Sequence, residues 1–201
     1  MNKKKSAIVL IGYQNDYFSK KGSLHSVIET DASRILNNTL DLIENVKSED
    51  VLIISTPIYF KETYEELKDP VGILKVIKDV GAFKYGTEGA NAIPEFSKYK
   101  DRIIEVPGKR GLNAFSNTEL ESVLKKHQIQ NVILSGVVTS ICIDSTGRSA
   151  HERGYKIFIL KDCTGARSDI EQDFYFENIF PLYSEVINYQ DVIDIFKGKS
   201  K

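Results

Sequence analysis

Cys142 is the residue whose surroundings in this sequence favour chemistry most. It follows an apolar stretch and a short turn, Gly136 to Thr139, and stands near the start of a helical pattern. The start of a helix has free backbone N–H groups and the positive end of the helix dipole. Both favour a thiolate, which is the nucleophilic form of cysteine, and the same N–H groups can stabilise an oxyanion. An inert cysteine that packs as a small hydrophobe is the other interpretation, and position alone leaves both open.

Lys109 is the second candidate, because it follows the third predicted strand in the segment from Val106 to Gly111. A lysine there can stabilise a thiolate or bind an anion, although a solvated surface charge is the commoner role. Cys163 follows the fifth predicted strand with no helix behind it, so we expect a packed cysteine without a disulfide to Cys142. The three histidines show no paired spacing typical of a metal site, and we expect structural or surface roles for them: His25, His127 and His151.

The elements that must position these residues alternate between strands and helices. Strands are predicted over 6–11, 51–54, 102–106, 131–136, 155–160 and 185–187, and helices over 31–46, 117–127, 140–152 and 170–180. Such alternation is typical of a mainly parallel sheet with helices on both faces. We therefore predict a three-layer α/β/α fold with a doubly wound, six-stranded sheet, in a single domain over 1–201. The irregular segment from Pro57 to Glu105 is expected near the carboxyl ends of the strands, where ligands bind, or else as a plain surface excursion.

Composition excludes several classes of protein. Among 201 residues, 27 are basic and 28 are acidic, so the net charge is −1, which argues against nucleic acid as a partner. No apolar run is long enough to span a membrane, and no signal-peptide pattern follows Met1, so we expect a soluble cytoplasmic protein. A P-loop, a GxGxxG motif after a strand and a CxxC pair are all missing, so no cofactor is expected.

Four stretches together resemble a known family. Ala7 to Tyr17 is similar to a strand followed by D-x-Q-x-D-F, and Tyr85 to Phe96 is similar to a second conserved-looking loop of that family. Lys109 to Leu120 is similar to K-x-x-x-S-A-F-x-x-T-x-L, and Ser135 to Thr146 is similar to G-V-x-T-x-x-C-V-x-x-T. On these stretches the chain resembles the isochorismatase-like cysteine hydrolases, which include nicotinamidases and N-carbamoylsarcosine amidohydrolase.

The resemblance implies roles for particular residues. Cys142 would be the nucleophile and Lys109 its basic partner. A cis peptide would join Val137 to Val138 in the turn that continues through Thr139, so that the Val138 and Cys142 N–H groups form an oxyanion hole. A substrate pocket is expected to include Asp16, Tyr17, Phe18 and Phe115. The partner would be a small molecule, and relatives suggest a homodimer or homotetramer.

The sequence departs from the family pattern in two places. The catalytic Asp of the family should stand four residues before Asp16, but Gly12 occupies that position, so the expected acid–base carboxylate is missing. Loss of such a group typically costs about 10²–10⁴ in rate. Nicotinamidases also carry Asp-x-His after the second strand, whereas this chain has Ser55 to Phe60 without a ligand for a metal ion. No metal is therefore expected.

Three hypotheses follow from these departures. The first is a working cysteine amidohydrolase in which Lys109 and the helix dipole keep Cys142 ionised. The second is a catalytically degenerate member that binds a small carboxamide or carboxylate, or a protein partner. The third is different, isochorismatase-type chemistry on the same scaffold, which ranks lowest because such members keep the Asp and lose the Cys.

Overall fold

The computed structural model of the chain describes residues 1–47 and 49–199. Its centre is a six-stranded, all-parallel sheet with the strand order β3-β2-β1-β4-β5-β6. The strands are β1 (Ser6–Ile11), β2 (Leu52–Thr56), β3 (Ile103–Glu105), β4 (Asn131–Val137), β5 (Lys156–Gly165) and β6 (Glu185–Ile187). The predicted α/β class and doubly wound parallel sheet are confirmed.

The sheet is covered on both faces, which explains its continuous apolar strands. All six residues of β1 are buried, and Ile8 is paired with Ile53 of β2 and Ile133 of β4. Such a strand cannot show the alternating pattern of a half-exposed sheet. Pro57 ends β2, because proline lacks the N–H that a central strand needs.

Helices form the two outer layers. They are α1 (Asn15–Phe18), α2 (Ala32–Val46), α3 (Gly72–Val80), α4 (Leu120–Lys126), α5 (Asp144–Glu152), α6 (Asp169–Phe174) and α7 (Tyr189–Phe196). One apolar cluster joins α2 and α7 to the face of the sheet that carries Ile8 and Leu10. The other cluster joins α4 and α5 to the face that carries Val9 and Ile11, and it contains Cys142.

Three parts of the chain differ from the sequence prediction. Strand β5 runs on to Gly165, so Cys163 lies within the strand and not after it. The pairing of β4 with β5 shifts between Leu134 and Gly136, and this irregularity absorbs the extra residues. The helix predicted over 170–180 divides into α6, a π-helical turn and a 3₁₀ turn at Pro181. Helix α7 was not predicted, although Asn188 and Asp191 form a capping box at its start.

Among the described residues, no helix is both long enough and apolar enough to cross a membrane.

Candidate active site

The residues singled out by the sequence follow four adjacent strands. Gly12 directly follows β1, Thr56 ends β2, Lys109 follows β3 by four residues, and Cys142 follows β4 by five. These strands are neighbours in the order β3-β2-β1-β4, so their carboxyl ends meet along one edge of the sheet. Crevices at such an edge are where open α/β sheets bind ligands.

Lys109 and Cys142 form a buried pair. Lys109 is 0% exposed and Cys142 is 4% exposed. The Lys109 Nζ atom lies 3.4 Å from Cys142 Sγ and donates a hydrogen bond to the Gly111 carbonyl oxygen at 2.7 Å. A bridge between Ile58 and Lys109 ties this loop to the chain beyond β2. The sequence predicted both residues, and the structure brings them into contact.

The Lys109 ammonium has no carboxylate partner among the described residues. Buried charges are normally paired, because removing an ion from water costs several kcal/mol. Within this pair the thiolate form of Cys142 is the available countercharge. The geometry therefore favours an ammonium–thiolate pair, in which the sulfur is already the nucleophile.

The turn before Cys142 has the shape that the resemblance implies. The Val137–Val138 peptide bond is cis. A π-helical turn over Thr139–Ile143 then precedes α5, so Cys142 lies in this turn and not in the first turn of an α-helix. The Ile143 N–H donates to the Val138 carbonyl at 3.2 Å, and the Thr139 hydroxyl donates to Gln172 Oε1 at 2.8 Å. The turn is therefore anchored to the segment that follows β5.

The carboxylates nearest in sequence to the site are already engaged. Asp16 is buried and accepts hydrogen bonds from the N–H groups of Phe83 at 2.7 Å and Ser23 at 3.3 Å. Asp144 accepts from Arg148 at 3.0 Å and from the Tyr183 hydroxyl at 3.0 Å. Asp16 thus holds loops together, as its match to a structural Asp of the family implies.

Gly12 has a backbone conformation that disfavours other residues. Its φ is +78°, and a Cβ atom there would lie 2.9 Å from both the Val137 side chain and the Val137 carbonyl oxygen. The same Cβ would lie 3.5 Å from the Tyr17 ring. Glycine is the residue that adopts positive φ without steric cost. The position thus differs from that of an aspartate with its side chain simply removed.

Two hydroxyl groups near this position lack hydrogen-bond partners within the described chain. The Thr56 Oγ1 atom is buried without a partner, and Thr56 is paired in the sheet with Ile11, the residue before Gly12. Tyr17 is 1% exposed, and no described residue forms a hydrogen bond with its hydroxyl. Burial, followed by the charges of Cys142 and Asp16, raises the pKa of Tyr17 well above its usual range.

A cleft of about 590 Å³ lies beside the Cys142 turn. Its apolar wall includes Ile73 and Val76 of α3, Leu112, Ile141 and Tyr175. Sequence analysis missed these residues. The available signal was the apolar run before and within α3, where Val76 remains 43% exposed in the structure.

The polar corner of this cleft is electrically balanced. Arg167 donates to Glu171 at 2.9 Å, and the Ser140 hydroxyl also donates to Glu171. A ligand in the cleft would meet apolar surface and a neutralised ion pair. An unpaired cation does not line it.

The remaining sequence candidates lie in other surroundings. Phe18 stacks on Tyr13 with ring centroids 5.0 Å apart and lines a separate cavity of about 390 Å³. Phe115 packs in the same apolar cluster as Cys142 and stacks on Tyr155. Cys163 is 0% exposed, and burial raises the pKa of its thiol above the usual range. Its burial matches the expected packed cysteine.

The residues after β2 do not fit a metal ion. Pro57, Ile58, Tyr59 and Phe60 offer no carboxylate, imidazole or thiolate ligand. Within the described part of the chain, no group of three or more His, Cys, Asp or Glu side chains is placed to hold a metal.

Comparison with known proteins assigns the chain to a family. Residues 6–191 match the isochorismatase domain model. Nicotinamidase 3 of Arabidopsis thaliana is 27% identical over 163 residues, covering 81% of this chain and 74% of the relative. The ureidoacrylate amidohydrolase RutB of Enterobacter sp. (strain 638) is 25% identical over 206 residues, covering 94% and 89%. The crystal structure of a cysteine hydrolase from Pseudomonas syringae pv. phaseolicola 1448A superposes with a TM-score of 0.87, 18% identity and coverage of 100% and 96%.

Proposed function

This chain belongs to the isochorismatase family of hydrolases, and from that premise we propose that it cleaves an amide C–N bond of a small molecule through a thioester on Cys142. The observation that carries the proposal is the 3.4 Å contact between Lys109 Nζ and Cys142 Sγ in a buried site. A nucleophile and a basic group within hydrogen-bonding reach are the signature of covalent catalysis. The names of two sequence relatives, a nicotinamidase and an amidohydrolase, support an amide as the bond cleaved.

In the proposed reaction, one proton carrier serves both halves. The Cys142 thiolate adds to the amide carbon, and the oxyanion is held by the N–H groups of Val138 and Cys142. The C–N bond breaks as its nitrogen takes a proton from the Lys109 ammonium, which leaves an amine or ammonia and a thioester. Neutral Lys109 then accepts a proton from water, whose oxygen adds to the thioester carbon. The C–S bond breaks, and the thiolate, the ammonium and a carboxylic acid result.

The cleft indicates the kind of substrate. Because its wall is apolar and its only charges are paired, we propose a neutral amide with an apolar body. Anionic substrates would find no free cation along the cleft to offset their desolvation. Benzamide is a suitable first probe, since its ring and amide match these two properties.

Release of ammonia from benzamide tests the proposal. We expect turnover that disappears in Cys142→Ala and falls about 10²–10⁴-fold in Lys109→Met. Lys109→Met fills a similar volume without a buried charge, so the variant should remain folded. Brief incubation with p-nitrophenyl benzoate and intact-mass measurement should reveal one benzoyl group on the protein and none on Cys142→Ala.

The degenerate-member hypothesis predicts a different pattern. A protein that binds benzamide in calorimetry but releases no ammonia, and that accepts no benzoyl group at Cys142, would contradict the hydrolase proposal. Alkylation by iodoacetamide at neutral pH separates the two further. We expect Cys142 to react faster in the unmodified protein than in Lys109→Met, because only the ammonium favours the thiolate.

A further inference from the structure

We propose that the Tyr17 hydroxyl donates a hydrogen bond to the scissile amide nitrogen and thereby takes over part of the task of the missing carboxylate. The proposal rests on the hydrolase function proposed above. It assigns to Tyr17 contact with the reacting atoms, which is a different role from lining a substrate pocket.

Gly12 and Tyr17 are paired departures from one motif. Where the family pattern has D-x-Q-x-D-F, this chain has Gly for the first Asp and Tyr for the Phe. The two positions touch, since a Cβ atom on Gly12 would lie 3.5 Å from Cδ2 of Tyr17. One change removes a carboxylate and the other adds a hydroxyl to a ring in contact with the same position.

The ring of Tyr17 is held in place by its surroundings. It packs against Phe83 with centroids 5.2 Å apart, and the Tyr17 carbonyl oxygen lies 2.8 Å from His25 Nδ1. The Tyr17 N–H donates to the Gln14 carbonyl at 3.0 Å. A group fixed in this way can act on a bound substrate without losing side-chain freedom when the substrate arrives.

The Tyr17 hydroxyl is available to a ligand. Buried phenols normally find a partner, and other buried tyrosines of this chain follow that rule. The Tyr13 hydroxyl lies 2.6 Å from hydroxyls of Thr39 and Ser135, and the Tyr64 hydroxyl donates to the Ala82 carbonyl at 2.7 Å. The Tyr17 hydroxyl has no such partner within the described residues, and the charge of Cys142 influences it.

Ionisation restricts Tyr17 to the donor role. Its raised pKa keeps the proton on the phenol at neutral pH, so Tyr17 cannot remove a proton from a thiol or from water. Lys109 therefore still performs both proton transfers. Tyr17 keeps its proton throughout, and its hydrogen bond strengthens as charge develops on the departing nitrogen.

The experiment compares two substrates that share an acyl group. Benzamide needs help at its leaving nitrogen, whereas the leaving oxygen of p-nitrophenyl benzoate is already a good leaving group. In Tyr17→Phe we expect kcat/KM for benzamide to fall about a hundredfold, while kcat/KM for the ester changes less than about threefold. Tyr64→Phe removes another buried hydroxyl and is the matched control, in which neither activity should change appreciably.

Three results would overturn the assignment. The first is an equal fall for both substrates, since this would indicate a general packing defect. The second is an unchanged rate on benzamide in Tyr17→Phe. The third is an unmodified protein that hydrolyses the ester but not the amide. By contrast, activity on both substrates that survives Cys142→Ala refutes the thioester mechanism itself, whatever Tyr17→Phe does.

Discussion

Replacing Gly12 with aspartate restores the carboxylate that the family pattern contains, and we expect it to harm the protein more than it helps. Gly12 has φ of +78°, where a side chain costs about 1–2 kcal/mol. The new Cβ atom would meet the Val137 side chain and carbonyl oxygen at 2.9 Å, and overpacking of this kind costs about 1–3 kcal/mol. The loss of glycine's freedom in the unfolded chain returns about 0.4–1 kcal/mol.

The net effect is a decrease of about 2–4 kcal/mol in the free energy of unfolding. For a chain of 201 residues, this lowers Tm by roughly 4–16 °C. Calorimetry on Gly12→Asp and Gly12→Asn measures the change, since both variants carry the same steric burden. Gly111→Ala is the control for a glycine whose Cβ would meet nothing within 4 Å, and its Tm should remain within a few degrees.

Amide hydrolysis by Gly12→Asp should not exceed that of Gly12→Asn. The Cβ direction at this position leads to Val137 and Tyr17, so the carboxylate starts its path toward occupied space. An unchanged Tm together with faster benzamide hydrolysis in Gly12→Asp alone would refute the reasoning. It would mean that the backbone accepts an aspartate readily and that only the residue type was missing.

Two further predictions concern groups around the same strand ends. Thr56→Val removes a buried hydroxyl that has no partner, so the free energy of unfolding should rise by about 1–3 kcal/mol in urea denaturation; the paired hydroxyl of Thr39 makes Thr39→Val the control, and a loss in both variants would contradict the prediction. Burial and the Glu105 carboxylate raise the pKa of Tyr59 from 10.0 to about 12. The neutral phenol is thus favoured in the folded state, and the stability it contributes is complete below pH 10 and lost between about pH 10 and pH 12. Denaturation midpoints across that range should fall less steeply in Tyr59→Phe, and parallel curves for the two proteins would count against this origin.

The strand–helix order was predictable because each buried strand leaves a continuous apolar run. The end of β5 was not, since Lys161 and Asp162 interrupt that run with charges. Strand β5 continues because the irregular pairing with β4 lets Cys163 and Thr164 return to the interior. Local pattern cannot reveal an irregularity whose cause is the neighbouring strand.

The site was predictable to the level of residue type. Motif spacing singled out Cys142 and Lys109, but their contact depends on the register of strands far apart in sequence. The cleft beside Ile141 depends on how α3 lies over the sheet, and nothing in the sequence fixes that placement. A single domain over 1–201, an oligomeric assembly and a cytoplasmic location stay predictions.

The isolation of Lys109 has a consequence for what happens after the bond is cleaved. The amide substrate is neutral, whereas the released acid is an anion at neutral pH. In a site with a second carboxylate, that anion would be repelled; here Lys109 faces it with no described carboxylate in competition. Product should therefore compete with substrate more strongly than substrate analogues do, and the rate of turnover would be governed by how quickly the acid leaves.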